Sequence, residues 1–147
     1  MLSNILADFY ERDLNKFVEE INLFRDEKNL WRIVGTIKNS SGNLALHIIG
    51  GLNHFFGATL AHSGYIRDRD LEFSQKGVDR EELVTRLQAL IPMMKKILSG
   101  FNPEQMEAEY PLIFDNMKVS NSYLFVRMLA HLGYHLGQVN YLRRTLE

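Results

Sequence analysis

Apolar residues recur with the 3.6-residue period of amphipathic helices in four stretches of this chain. The pattern predicts helices over residues 3–24, 41–63, 79–100 and 120–145. The buried stripe predicted for the first helix contains Leu6, Phe9, Phe17, Ile21 and Phe24. The second helix differs from the others because it carries no Asp, Glu, Lys or Arg. No long stretch alternates as a strand would, so the pattern indicates an all-α fold.

Local signals mark where these helices begin and end. Asp79 with Glu82 predicts a capping pair for the third helix, and Ser120 predicts a cap for the fourth. Asn102-Pro103 resembles an N-cap followed by proline at the first helical position, which predicts a short turn. Residues 109–120 have extended character, with Asp115-Asn116 as a tight turn. The connection YIRDRDLEFSQKGV is charged and shows no clear period.

Four long amphipathic segments favour a four-helix bundle in a single domain over residues 1–147. The connections before Asp79 and after Gly100 are long, so a simple up-down-up-down order is not expected. Ala130, Gly133 and Gly137 form a face of small residues on the last helix. That face suits close helix packing, either within the chain or across a dimer.

Composition narrows the classes of function. The chain is 46% hydrophobic and 24% charged, with a formal net charge of -1. This balance gives no electrostatic reason to expect a nucleic acid or an anionic membrane as partner. Because there are no cysteines, any metal must be held by imidazole, carboxylate or amide groups. The acidic start MLSNILADFYERD does not match a signal peptide, and we expect a cytoplasmic protein.

The uncharged second helix also has a membrane-like character. Its segment LALHIIGGLNHFFGATLA is long enough to span a bilayer. It carries His47, Asn53 and His54, however, and each of these side chains is costly in hydrocarbon. We therefore interpret this segment as a helix surrounded by protein and expect no membrane partner.

Histidines supply the candidate chemistry. His131 and His135 are four residues apart, on one face of the last helix and beside its apolar stripe. His47, on the second helix, is the best candidate for a third imidazole. A facial site of three neutral imidazoles would leave positions open on a divalent ion, as in catalytic zinc sites. The alternative is that all three are histidines at the edge of the core, each satisfied by a carbonyl or a side chain.

Several other residues are candidate parts of the same site. His54 lies roughly 10 Å from His47 along a helix axis, too far to share an ion, and is expected to line the pocket or donate to a substrate. Gln138 and Asn43 lie one turn from ligand histidines, so each either orients an imidazole or packs as an ordinary amide. Gly50 and Gly51 leave volume for a pocket, or for close helix packing.

Three acidic residues are the nearest carboxylates to the histidines in the sequence. Asp68, Asp70 and Glu72 follow the second helix within the charged connection. We expect them to lie on a solvated surface loop. His62, near the end of the second helix, is likewise expected to be solvated.

The segments NSSGNLALHIIGGLNHF and HLGYHLGQVNYLRR resemble the DinB/YfiT-like superfamily of small helical metalloproteins. In that superfamily a GNLxxH-type second helix and an HxxxHxGQ-type last helix supply the metal ligands. The resemblance implies His47, His131 and His135 as ligands of Zn²⁺, Ni²⁺ or a similar ion. It also implies an up-down-down-up four-helix bundle, usually a homodimer. Relatives include S-transferases that use bacillithiol or mycothiol, and a thiol-dependent isomerase.

The first functional hypothesis is a metal-dependent enzyme of the thiol S-transferase or hydrolase type. Its ion would activate a thiol or a water, and the pocket would bind a small-molecule substrate with a low-molecular-weight thiol as a candidate cofactor. The alternative is a non-catalytic helical bundle whose metal or ligand serves a structural or sensing role.

Overall fold

The computed structural model describes all 147 residues, and the chain is predominantly helical. It has no strands, only two isolated β-bridges, which confirms the all-α class. The 3₁₀ turn Glu27–Trp31 follows the first helix. The six helices are α1 (Leu2–Leu23), α2 (Ser41–Ala61), α3 (Arg69–Ser74), α4 (Arg80–Ser99), α5 (Pro103–Glu107) and α6 (Asn121–Leu146).

The four long helices share one continuous hydrophobic core. Helix α1 packs most extensively against α4 and then against α6, while α2 contacts α3, α4 and α6. The predicted buried stripe of α1 is correct except at Phe9, which is 39% exposed with Arg12 stacked on its ring. Tyr10 and Leu14 face the core instead. Phe9 is one residue, about 100° of helical rotation, from Tyr10, and this rotation moves its ring to the edge of the stripe.

Two of the three predicted helix caps form as expected. Ser120 Oγ accepts a hydrogen bond from the backbone N–H of Tyr123, and Asn102 forms a reciprocal capping box with Gln105. The capping pair predicted at Asp79 is wrong, because the Asp79 side chain makes no capping hydrogen bond. Its backbone carbonyl still accepts the first hydrogen bond of α4. This helix therefore starts where expected without the predicted side-chain cap.

Residues 109–120 form the predicted extended segment with a tight turn. Phe114 and Met117 exchange two backbone hydrogen bonds, each 2.9 Å long. Between them, Asp115 and Asn116 have φ values of 53° and 61°, the left-handed conformation of a type I′ turn. The Tyr110 hydroxyl donates to the carbonyl of Phe55, which ties this segment to α2.

The charged connection after α2 contains helix α3, which the periodicity did not predict. Asp68 caps this helix by accepting from the backbone N–H of Leu71. The Asn43 side chain, on α2, donates to the carbonyls of Glu72 and Gln75 at 2.9 and 2.8 Å. These two bonds dock α3 on α2. A helix of six residues is too short to establish a period, so the sequence pattern could not show it.

Helix α2 changes its winding along its length. Residues Ser41–Leu52 are α-helical, Asn53–Ala58 form a π-helical turn, and Thr59–Ala61 return to α-helix. Its last helical residue is Ala61, two residues before the predicted end at residue 63, and the C-cap residue His62 is left-handed at φ 52°. By length and composition α2 could cross a membrane, but 61% of its most apolar window is buried inside the protein.

Candidate metal centre

The three predicted imidazoles meet in space. His47 on α2 and the pair His131 and His135 on α6 place one ring nitrogen each within 4.8 Å of one another. The Nε2 atoms of His47 and His131 are 3.0 Å apart. Two nitrogens bound to one tetrahedral zinc ion lie about 3.3 Å apart, given Zn–N bonds of about 2.0–2.1 Å. The predicted convergence of these residues is confirmed, and the spacing of the His47 and His131 nitrogens fits two ligands of a single ion.

The ring orientations also suit a common ligand. The centroids of His131 and His135 are 4.4 Å apart, and His47 lies 4.9 and 5.2 Å from them. Each pair of rings is nearly perpendicular, at 77–87°. The rings therefore meet edge to face and do not stack on one another.

His47 is oriented by the carboxylate of Glu72, a residue that was expected to lie on a solvated surface loop. His47 Nδ1 lies 3.0 Å from Glu72 Oε1, and Arg67 donates to both oxygens of Glu72 at 2.8 and 3.0 Å. Glu72 is 6% exposed, so the expectation that it lies in a solvated loop is wrong. Its neighbours Asp68 and Asp70 are exposed, as expected. A carboxylate on Nδ1 fixes that proton and leaves Nε2 free to bind a metal.

The Glu72 carboxylate remains ionised despite its burial. Burial alone raises its pKa, but hydrogen bonds from His47 and Arg67 outweigh that effect and lower the pKa below 4.5. Glu72 therefore carries a negative charge at neutral pH. That charge balances Arg67, and it accepts a hydrogen bond from Nδ1 of His47.

Gly50 makes room for this carboxylate. A Cβ added at Gly50 would overlap Oε2 of Glu72. Part of the volume that the small residues of α2 were expected to leave for a pocket is therefore filled by Glu72. Gly51, one residue further, does line a cavity.

Gln138 orients the third imidazole. Its side-chain oxygen lies 2.7 Å from His135 Nδ1, which makes Nδ1 the protonated nitrogen and leaves Nε2 free. Of the two alternatives left open for Gln138, an orienting contact or ordinary packing of an amide, the structure shows the first. Asn43, weighed for the same role, contacts no imidazole and instead holds α3, and with it Glu72, against α2.

The paired histidines are held neutral. Burial lowers the pKa of His131 to about 4, with further lowering by His135, His47 and Arg127. Burial also lowers the pKa of His135, although its hydrogen bond to Gln138 partly offsets this. A neutral imidazole has the lone pair that a metal requires. Both residues are therefore ready to act as ligands at pH 7.

His47 and His131 open onto a cavity of about 240 Å³. Phe55, Phe114 and Met128 form its apolar wall. His54, expected in the pocket, is not among the lining residues. The π-helical turn explains this, because its i→i+5 winding turns less per residue than an α-helix and brings Phe55 toward the face of His47. The sequence carried no signal for this turn.

A second cavity of about 390 Å³ lies on another side of the cluster. It is lined by His135 and Gln138 together with Lys38 and Tyr141. The histidine cluster is therefore reached from two directions, through His47 and His131 on one side and through His135 on the other.

An all-helical fold in which three imidazoles from two helices converge, two of them oriented through Nδ1, defines a candidate metalloprotein. The chain belongs to the family of proteins of unknown function DUF1572, whose model matches residues 8–147. The matched range contains all three histidines and Glu72. A comparison with curated proteins found no match.

Proposed function

We propose that this protein is a metal-dependent enzyme in which His47, His131 and His135 hold one divalent ion, Zn²⁺ or Ni²⁺. The observation that carries the proposal is the placement of one nitrogen from each ring within 4.8 Å of the others. Imidazole nitrogen suits both ions, and no thiolate ligand competes because the chain has no cysteine. The sequence resemblance further supports a DinB/YfiT-like four-helix bundle with up-down-down-up order.

Three protein ligands with open positions form the ligand pattern of catalytic rather than structural zinc sites. When bound, such an ion would lower the pKa of a coordinated thiol or water, which is the chemistry of a thiol S-transferase or a hydrolase. Glu72 and Gln138 hold the imidazoles of His47 and His135 in place. On the side of the cavity, Phe55, Phe114 and Met128 would limit the access of water to the histidines.

The decisive test is the removal of one ligand. His131→Ala is expected to abolish binding of one equivalent of Zn²⁺ or Ni²⁺, measured by calorimetry and elemental analysis, with the helical circular dichroism largely retained. His62→Ala is the matched control, since His62 is exposed at the end of α2. Wild-type affinity in the His131→Ala variant would show that the ligand assignment is wrong.

A second measurement separates catalysis from a structural role. In a Co²⁺-loaded protein, addition of free cysteine should change the visible spectrum if a thiol can reach an open position on the ion. A spectrum unchanged by thiol, together with a large loss of melting temperature on chelation, would favour the non-catalytic alternative.

We also propose a homodimer. Helices α1 and α6 leave apolar side chains exposed, and a groove of about 510 Å³ is lined by Leu2 from α1 and by Val126 and Ala130 from α6. Gly137, on the small-residue face, is exposed and has no neighbour near an added Cβ. A second copy of the chain would cover these residues.

A further inference from the structure

The cavity beside His47 and His131 is lined by positively charged side chains without negatively charged ones. Three arginines line it, Arg67, Arg69 and Arg127, and no aspartate or glutamate does. The whole chain has a formal net charge of -1, so this concentration of positive charge is local. A recessed surface with charge of one sign raises the local concentration of ligands of the opposite sign.

The three arginines differ in how many of their hydrogen-bond donors are available to a ligand. Arg67 is committed to Glu72 through two hydrogen bonds, and its side chain is only 13% exposed. Its charge is therefore already balanced. It serves to hold the carboxylate that orients His47.

Arg69 and Arg127 keep their hydrogen-bond donors available. Arg69 forms no ion pair, and its guanidinium lies over the ring of Phe73 at 5.3 Å, which fixes its position. Arg127 is 3.8 Å from Asp115, but both side chains are more than half exposed. An exposed pair of this kind contributes little and is readily exchanged for another anion.

The rest of the lining is apolar. Phe55 and Phe114 pack edge to face with their centroids 5.6 Å apart, and Met128 completes the wall. A cavity of about 240 Å³ with an apolar wall and two available guanidinium groups suits a small molecule with an apolar body and an anionic group. It is a poor match for a cation, or for a neutral sugar that needs many acceptors.

We propose that this cavity binds a small organic acid, whose anionic oxygens are held by Arg69 and Arg127 and whose apolar part lies against Phe55 and Phe114. Carboxylate and phosphate share the required chemistry, because both accept two parallel bonds from a guanidinium. The assignment of this acid as the substrate rests on the proposed function, since His47 and His131 line the same cavity. Binding of the acid does not depend on the metal.

Calorimetry with three aromatic probes tests the proposal. Benzoate and phenyl phosphate supply the two anionic groups on one apolar ring, and benzamide is the neutral control. Each is titrated into chelator-treated protein and then into protein carrying one equivalent of Zn²⁺. One of the two anions should bind about a hundredfold more tightly than benzamide in both forms, as expected for hydrogen bonds to two guanidinium groups at about tenfold each. Which anion binds more tightly identifies the anionic group.

Variants locate the binding groups. Arg69→Gln and Arg127→Gln should each weaken anion binding about tenfold, and the double variant should reduce it to the level of benzamide. Lys38→Gln is the matched control, because it removes one positive charge from the lining of the other cavity. Its anion affinity should remain within about twofold of wild type, since its amine lines a different cavity.

The outcomes separate this inference from the proposed metal site. All the arginine variants should bind Zn²⁺ at least as tightly as the wild type does, because neither arginine contacts a histidine ring nitrogen and loss of the positive charge of Arg127 near His131 favours a cation. Equal affinity for benzoate, phenyl phosphate and benzamide, or anion binding that survives the double substitution, would overturn the inference. Anion binding in a wild-type protein that takes up neither Zn²⁺ nor Ni²⁺ would support the inference and contradict the proposed function.

Discussion

The carboxylate of Glu72 occupies the space that a side chain on Gly50 would need. Gly50 lies on α2, one turn beyond His47, and Glu72 reaches it from α3. The close approach lets Oε1 of Glu72 contact His47 while Oε2 pairs with Arg67. A glycine in the middle of a helix costs about 1 kcal/mol relative to alanine. At position 50 the glycine leaves room for the buried carboxylate of Glu72, which the Cβ of an alanine would overlap.

Gly50→Ala should disrupt the metal centre without touching a ligand. The added methyl group would displace the Glu72 carboxylate, and we expect Zn²⁺ affinity to fall about 10–100-fold, as on loss of a group that orients a ligand. The free energy of unfolding should fall by about 1–3 kcal/mol through overpacking. Competition with a fluorescent zinc chelator and urea denaturation measure the two effects.

Gly51→Ala is the control for this substitution. A Cβ at Gly51 would meet Arg67 and Met128 at 3.6 and 3.7 Å, which are ordinary van der Waals contacts. We expect unchanged Zn²⁺ affinity and equal or slightly greater stability. Equal behaviour of the two alanine variants would contradict the role given to Gly50.

Glu72 itself can be tested for its charge and for its hydrogen bond separately. Glu72→Gln retains an oxygen near His47 Nδ1 but leaves Arg67 unbalanced, and we expect about a tenfold loss of Zn²⁺ affinity. Glu72→Ala removes both, and the loss should approach about a hundredfold. Asp70→Asn, which neutralises an exposed carboxylate two residues away, should have no effect. If Glu72→Ala bound Zn²⁺ normally, His47 would not need this partner.

The sequence could predict the histidines but not this carboxylate, for physical reasons. His131 and His135 share a helix face by their spacing alone, and the apolar neighbours of His47 predict its burial. Glu72 is 25 residues from His47, and no periodicity links a side chain on one helix to another helix across a loop. Its surroundings, RDRDLEFS, are as charged as an exposed loop.

The one signal pointing to Glu72 was Gly50, and it was ambiguous. A small residue beside a buried histidine predicts free volume, but cannot say whether a ligand or a side chain of the same chain fills it. The π-helical turn at Asn53–Ala58 is a similar case. At the cavity Phe55 is present and His54 is not, and the residues of the turn include no proline that would have marked an irregular helix in the sequence.

Stability should depend on pH through the histidine pair when the metal is removed. In the unfolded chain a histidine binds its proton near pH 6.5, whereas burial lowers the pKa of His131 to about 4 in the folded protein. As the pH falls from 7 toward 4 the unfolded state therefore binds more protons, and the free energy of unfolding decreases. The pKa of Glu72 is also lowered in the folded protein, so this carboxylate adds to the loss of stability as the pH falls through the range in which an unfolded glutamate binds its proton.

Urea denaturation in the presence of a chelator at pH 7, 6 and 5 measures this effect. His131→Gln should show a smaller loss of stability across the interval than the wild type, because one lowered pKa has been removed. His62→Gln, at an exposed position, should follow the wild-type curve. A wild-type stability that is constant or increases from pH 7 to pH 5 would contradict the neutral state assigned to His131.

The proposed dimer predicts the effect of a charge on the α1–α6 surface. Val126 is 49% exposed and lines the groove with Leu2 and Ala130. Val126→Glu should leave the monomer folded, because the side chain is exposed and glutamate is a good helix former. In a dimer the added carboxylate would lose its hydration against the apolar side chains of the groove, so light scattering after gel filtration should show a shift from dimer to monomer.

Ile66→Glu provides the comparison, since Ile66 is 89% exposed and lies in the connection after α2, away from this groove. It should leave the mass in solution unchanged. The two proposed states give distinct masses, near 34 and 17 kDa, from the chain mass of 17.1 kDa. A wild-type protein that is monomeric at concentrations of about 100 μM would contradict the dimer, because a stable homodimer interface persists well below that level. A Val126→Glu variant that remains dimeric would place the interface on another surface of the protein.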